Sequence, residues 1–162
     1  MKFDTLKSYI RLPRNVYFIL IADIINSAGS FVYPFLAMFL TVKLGHSEYF
    51  AGIILTVVIA AEGVGRLIGG KLADWVGRKI VIIILSLIGA AIYVAIAFLK
   101  NPAAVPYLII IAGFIKSGAL PALNALIIDV TDKKNRNDAF SLVYLGHNIG
   151  FAIGPLAAGF LF

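Results

Sequence analysis

The sequence predicts an all-α fold, a polytopic membrane helix bundle with five transmembrane helices, and three observations support it. Hydrophobic residues make up 61% of the 162 residues and charged residues 14%, whereas a soluble domain has about 25% charged residues. The apolar residues fall into five blocks, each long enough to cross about 30 Å of hydrocarbon as a helix. These blocks do not alternate polar and apolar residues, as the strands of a membrane barrel do.

The five predicted helices follow one another with short gaps between them. They occupy residues 16–42, 49–70, 80–99, 107–130 and 139–162. The turn KLGHSE separates the first two, and KNPAAVP, whose two prolines break a helix, separates the third from the fourth. The other two gaps are the charged stretches GGKLADWVGRKI, at 69–80, and DVTDKKNRNDAF, at 129–140. Residues 1–15 form a basic N-terminal segment, and residues 16–162 form the bundle.

The positive charges alternate along the chain and predict its orientation. Lys and Arg are concentrated before the first helix and in the gaps after the second and fourth, at Lys2, Lys7, Arg11, Arg14, Lys71, Arg78, Lys79, Lys133, Lys134 and Arg136. The alternate gaps hold only Lys43 and Lys100. Because cytoplasmic loops carry the excess of Lys and Arg, we expect a multi-pass membrane protein with a cytoplasmic N-terminus. The first block is too long for a secretory signal and has no small-residue cleavage site, so we expect it to be retained.

Three charged residues lie deep in the predicted helices. Asp23, Glu62 and Lys116 are each roughly 12–13 Å from a membrane surface at 1.5 Å per residue. An isolated charge there costs about 2.5–3.5 kcal/mol, so we expect these groups to face one another or a wet cavity. We interpret Asp23 and Glu62 as proton or cation sites, and Lys116 as their counter-charge or as a partner for an anionic substrate; the alternative is a static interhelical ion pair. Arg66, one turn from Glu62, either pairs with it or snorkels, and snorkelling is the interpretation we favour.

Other polar residues and prolines within the predicted helices have smaller roles. Asn26 and Asn124 are assigned with the charged residues to the proton or substrate site, and Asn148 offers a further hydrogen bond. Most such amides hold helices together. Pro34 and Pro121 predict bends in the first and fourth helices.

Several function classes are excluded by composition and spacing. The chain has no Cys, so it forms no disulfide and no thiolate site. His46 and His147 have no companions at ligand spacing, so we expect no metal. We find no Ser/His/Asp grouping, phosphate loop or dinucleotide fingerprint, and therefore expect neither an enzyme nor a cofactor. The basic residues are dispersed among short gaps rather than gathered on one solvated face, so we expect no nucleic-acid partner.

The stretch GGKLADWVGRKI concentrates glycine and charge between two apolar blocks. Gly69 and Gly70 allow a helix end to approach its neighbour closely, and Gly77 can adopt the positive φ that ends a helix. Asp74 can accept hydrogen bonds from backbone amides or face Arg78 at hydrogen-bond distance. On general physical grounds alone the stretch is a charged hairpin at the inner surface.

The segment GKLADWVGRK, from Gly70 to Lys79, resembles the signature loop of the major facilitator superfamily of transporters, which lies between the second and third helices. Trp75 stands where that family usually has a basic residue. The resemblance implies a cytoplasmic gating motif, whose members here are Gly70, Asp74, Gly77, Arg78, Lys79, Asp129 and Arg136. In relatives, an acid at the inner end of the fourth helix pairs with the loop arginine, which implies a pair between Asp129 and Arg78.

The segment GHNIGFAIGPLAAG, at 146–159, resembles the fifth-helix motif of the drug/proton antiporters of that family. The matching residues are Gly150, Gly154, Pro155 and Gly159, and Ala158 replaces one glycine of the motif. Gly146, Gly150 and Gly154 also form a bare stripe against which another helix can pack. The resemblance covers essentially the whole chain, as an N-terminal part of a twelve-helix fold.

The resemblance implies a proton-coupled exporter of small amphipathic compounds that works by alternating access. Its expected partners are protons, a small-molecule substrate and the lipid bilayer. A symporter for sugars, organic acids or peptides is the first alternative, and a non-transporting bundle or inactive fragment is the second. Five helices cannot line a pathway between two halves, so we expect a missing second half or self-association to complete it.

Overall fold

A computed structural model describes residues 8–29, 32–99 and 101–161 of the protein. The α-helices in these ranges are α1 (Arg14–Ala28), α2 (Val32–Met38), α3 (Glu48–Val76), α4 (Arg78–Ala97), α5 (Val105–Ser117), α6 (Ala119–Asp129) and α7 (Arg136–Leu161). A π-helix, Phe39–Lys43, continues α2, and a 3-10 helix, Pro102–Ala104, precedes α5. The described residues contain no strand, which confirms the all-α class.

Four helical segments of the described chain are long and apolar enough to cross a membrane: Glu48–Val76, Arg78–Ala97, Pro102–Asp129 and Arg136–Leu156. They correspond to the second to fifth predicted spans, so the protein is a multi-pass membrane protein. The predicted first span, 16–42, is covered by α1 and by α2 with its π-helix. Residues 30 and 31, between α1 and α2, lie outside the described residues.

The second predicted helix is longer than expected, and the predicted loop at 69–80 is wrong. The side chain of Ser47 caps the start of α3 by accepting a hydrogen bond from the Phe50 amide at 3.2 Å. The helix then continues to Val76, so Gly77 is the one residue between α3 and α4. Gly77 has φ 102° and its amide donates to the Ala73 carbonyl at 3.1 Å. The predicted positive φ is therefore confirmed, and it ends a helix that already includes most of the charged stretch.

The fourth span is interrupted at Gly118, between α5 and α6. Pro121 accounts for the interruption, because it has no amide hydrogen to donate to the Ser117 carbonyl four residues earlier. The Gly118 amide bonds instead to Ile115 at 3.3 Å, in the tighter i to i−3 pattern. The bend predicted from Pro121 therefore corresponds to a helix interruption at Gly118, about one turn before the proline.

The chain divides into two compact units, one of Met1–Phe35 with Leu126–Phe162 and the other of Leu36–Ala125. In the first unit, α1 packs along α7. Its buried apolar residues include Val16 and Ile19 of α1 and Ala139 and Val143 of α7.

In the second unit, α3 packs against α4 and α5, and α4 packs against α5. Ala73, Val81 and Ala122 form a buried cluster where α3, α4 and α6 meet. Large apolar side chains such as Leu67 and Leu87 point outwards instead. This arrangement suits lipid, since hydrocarbon chains solvate an outward leucine as well as a protein core does.

Small residues set the closest helix contacts in both units. A Cβ atom added to Gly69 would collide with the backbone of Gly118, and one added to Gly65 would collide with the Phe114 carbonyl. On α7, Cβ atoms at Gly146 and Gly150 would collide with α1, at the Leu20 side chain and the Ile24 carbonyl respectively. The predicted close approach is confirmed at Gly69 and, on α7, at Gly146 and Gly150.

Candidate transport site

Asp23 lies on α1, where the bare glycine stripe of α7 crosses it. His147 stands beside Gly146, so the close helix approach brings its imidazole to the carboxylate. The distance from Asp23 Oδ2 to His147 Nδ1 is 3.3 Å, and Ser27 Oγ lies 2.7 Å from the same nitrogen. The side chain of Asp23 is 5% exposed and that of His147 is 46% exposed. The pair therefore joins a buried acid to an imidazole that is partly exposed at the surface of the helix pair.

We assign the tautomer of His147 from its contact with Asp23. A carboxylate out of water needs a donor, and an ionised Asp23 repels the lone pair of a nitrogen at this distance. The neutral imidazole is therefore expected to carry its proton on Nδ1, where it donates to the Asp23 carboxylate. Nε2 then holds the lone pair and is the atom that can accept a further proton.

Glu62 belongs to a second group of charges, in the other unit. Its Oε2 lies 3.3 Å from Nη2 of Arg66, and the side chains of Glu62 and Arg66 are 12% and 52% exposed. The snorkelling interpretation of Arg66 is therefore wrong, because the spacing of one helical turn lets the guanidinium reach the carboxylate. The charge of Glu62 also acts on Lys116 of α5.

Packing fixes the second group in place. The Ser117 hydroxyl donates to the Glu62 carbonyl at 3.0 Å, which ties α5 to α3. A Cβ atom built on Gly89 of α4 would lie 3.1 Å from the Lys116 Cβ, so the lysine stem crosses this glycine. Glu62, Arg66 and Lys116 are thus held where three helices meet.

The predicted amides are arranged differently. Asn26 on α1 and Asn124 on α6 are both exposed. Asn148 donates its side-chain amide to the Tyr144 carbonyl of its own helix, at 2.7 Å.

The signature segment, residues 70–79, holds Arg78 against the fourth span. Arg78 begins α4, and its Nη1 donates to the main-chain carbonyl of Ala125 on α6 at 3.0 Å. A Cβ atom on Gly70 would lie 3.6 Å from the Pro121 Cβ, which is ordinary contact. Asp74 and Lys79 are exposed on either side of Gly77.

The remaining predicted residues lie at the ends of α6 and along α7. Asp129 is the last residue of α6 and Arg136 the first of α7. The pairing of Asp129 with Arg78 stays a prediction. Gly150 and Gly154 are buried, and α7 continues through Pro155 and Gly159 to Leu161.

Comparison with known proteins decides the family. The sequence profile of the Major Facilitator Superfamily matches residues 19–162. The chain belongs to the major facilitator superfamily. The resemblance predicted from the two motifs is therefore confirmed.

Three relatives within the superfamily carry informative names. A Na(+), Li(+), K(+)/H(+) antiporter of Planococcus maritimus is 33% identical over 147 residues, which are 85% of this chain and 33% of the relative. The uncharacterized MFS-type transporter YqjV of Bacillus subtilis is 30% identical over 129 residues, 80% of this chain and 32% of the relative. A homologue of the multidrug resistance efflux pump PmrA in Lactococcus lactis is 25% identical over 136 residues, 82% of this chain and 34% of the relative.

The chain thus spans about a third of the length of these superfamily relatives. No solved structure matches it significantly.

The sequence alone did not assign His147 and Ser27 to the candidate site around Asp23. His147 was considered only as a metal ligand, and Ser27 was not considered at all. A signal was present in each case, since Ser27 is one helical turn after Asp23 and His147 adjoins the glycine stripe. The sequence alone does not show that α1 packs against α7.

Proposed function

We propose that this chain forms part of a proton-coupled secondary transporter that exports small amphipathic compounds, cations among them, by alternating access. The observation that carries the proposal is Asp23, a carboxylate buried inside a membrane helix pair with a histidine as its partner. Buried ionisable groups within membrane spans are costly and mark ion or substrate pathways. One relative is named an antiporter and another an efflux pump, and these names support proton-coupled export.

The exchange follows from competition for one negative charge. When Asp23 is ionised and His147 neutral, the pair carries a charge of −1, and a cationic substrate is attracted to it. When the pair has taken up a proton, its charge is zero and the attraction is lost. A proton entering from one side of the membrane therefore favours release of the cation on that side.

In this proposal the signature segment, residues 70–79, supplies the gate on the cytoplasmic side of the pathway. Arg78 is anchored to α6 through the Ala125 carbonyl, and Asp74, Lys79, Asp129 and Arg136 are the other charged members of the motif. We propose that these residues hold the cytoplasmic side closed in the outward-facing state. The N-terminus is cytoplasmic in this scheme, in the inner membrane of a bacterial-type cell, and a second half or a second copy completes the pathway.

The test replaces Asp23 with Asn in the protein expressed from its complete gene, reconstituted in vesicles with an imposed pH gradient. Asp132→Asn, a change in the exposed turn between α6 and α7, is the matched control. We expect D23N to lose roughly tenfold or more of the gradient-driven transport of ethidium, the effect of removing a general acid or base, and D132N to retain it. Unchanged coupling in D23N removes Asp23 from the mechanism.

The same vesicles discriminate the symporter alternative. An exporter moves the probe against the direction of proton flow, whereas a symporter moves a sugar, organic acid or peptide with it. Accumulation of such a solute in the direction of proton flow, with no movement of ethidium, contradicts the proposal.

A further inference from the structure

We infer that His147, together with Asp23, takes up the coupling proton, and that the proton enters and leaves at Nε2 of the imidazole. This inference rests on the proposed proton-coupled function and names a residue that the superfamily motifs do not include. The argument has three steps, which concern access, the neighbouring charges and the hydroxyl of Ser27.

Access distinguishes the two members of the pair. The carboxylate of Asp23 is 5% exposed, whereas the imidazole of His147 is 46% exposed. In this proposal the incoming proton therefore meets the more exposed imidazole before it meets the carboxylate. Since Nδ1 is directed at Asp23 and Ser27, Nε2 is the nitrogen that accepts it.

Neighbouring charges make the site a single titrating unit. The packed helices of this unit are α1 and α7, and Asp23 is the ionisable side chain that α1 places against His147 among the described residues. The other ionisable side chains on these helices are Arg14, Tyr17, Arg136, Asp138 and Tyr144, and of these Tyr144 lies about one helical turn from His147. The pair therefore gains one proton as a unit and moves from a charge of −1 to zero.

Ser27 orients the imidazole. Its hydroxyl is buried and lies 2.7 Å from His147 Nδ1. A second contact on the same nitrogen restricts rotation of the ring and keeps Nδ1 towards α1. Ser27 is thus a positioning residue, and it does not itself carry the proton.

The test uses His147→Asn, with His46→Asn as the control at the other histidine of the sequence. Asparagine places an amide nitrogen near the position of Nδ1, so it can still donate to Asp23, but it does not titrate. Reconstituted protein from the complete gene is assayed with an imposed pH gradient and with ethidium, tetraphenylphosphonium and Na⁺ as probes. We expect wild-type and H46N transport to change about tenfold between about pH 6 and pH 8, and H147N transport to change less than about twofold.

A second measurement does not depend on turnover. In detergent, binding of a cationic probe to the wild type is expected to release about one proton per molecule bound, and binding to H147N about none at the same pH. If H147N gives no folded protein, His147→Gln serves the same comparison.

The outcomes separate the two proposals. If the wild type moves none of the probes in response to a pH gradient, the proposed function fails and this inference fails with it. If the wild type is coupled and a folded His147 variant keeps both its pH dependence and its proton release, the inference is overturned while the proposed function stands. Loss of both in the His147 variants alone supports it.

Discussion

At the scale of single residues, the two membrane acids differ in the partners they have. Asp23 faces His147, the residue proposed above to take up the coupling proton with it. Glu62 faces Arg66, which stays protonated at any pH the protein experiences, and it also interacts with Lys116. We therefore expect Asp23 to respond to pH and Glu62 to act mainly as a fixed ion pair. The two acids looked equivalent in the sequence, because depth in a span does not reveal the partner.

Removal of the Glu62 carboxylate tests this distinction. Glu62→Gln leaves Lys116 without its neutralising charge between α3, α4 and α5, so we expect it to lower the free energy of unfolding by about 1–3 kcal/mol. The double variant Glu62→Gln/Lys116→Met removes both charges and is expected to recover at least half of that loss. Thermal unfolding in detergent measures both. Equal stability of the single and double variants, or loss of proton coupling in E62Q without loss of stability, contradicts a fixed pair.

At the scale of the helices, glycine decides which faces meet. Gly65 and Gly69 are one turn apart on α3, and both touch backbone atoms of the fourth span. Gly63, on the same helix, has no atom within 4 Å of an added Cβ. Identical residues in one helix thus have different roles.

This difference gives a matched pair of substitutions. Gly69→Ala forces α3 away from Gly118, and we expect a loss of about 1–3 kcal/mol in the free energy of unfolding, typical of overpacking. Gly63→Ala meets no neighbour and is expected to be neutral or to gain up to about 1 kcal/mol from helix propensity. Denaturation in detergent, followed by circular dichroism, compares the two. A loss in G63A as large as in G69A rules out close packing as the cause.

The extent of the helices was predictable, but several of their ends were not. Composition and apolar block length predicted where the four spanning segments of the described chain lie, because burial in lipid leaves few other options. The sequence analysis placed the charged residues after Gly70 in a loop, although Lys71, Leu72 and Ala73 are good helix formers and α3 continues to Val76. The meeting of Asp23 with His147 required knowing which helices pack together, which a single sequence does not state.

At the scale of the whole molecule, the distribution of basic residues predicts the side on which each turn lies. The turn between α6 and α7 includes Lys133 and Lys134, whereas the turn before α3 is followed by Glu48. Both Glu48 and Lys133 are exposed. Under the positive-inside rule the two turns lie on opposite sides of the membrane.

Cysteine labelling measures this topology directly, since the sequence contains no cysteine. We expect a membrane-impermeant maleimide to label Glu48→Cys in intact cells and to label Lys133→Cys only after the cells are permeabilised. The unsubstituted protein shows the background. Labelling of both variants, or of K133C alone, in intact cells contradicts a cytoplasmic N-terminus.

Gly77 has a mechanical consequence for α3 and α4. These helices have 29 and 20 residues, and one residue joins them, so the linker has no slack. Neither helix can slide far along its own axis without pulling the other, because the covalent geometry of one residue limits the distance between their facing ends, and its two dihedral angles mainly change the angle between the helices. A large displacement of one helix along its axis is therefore transmitted to the other helix.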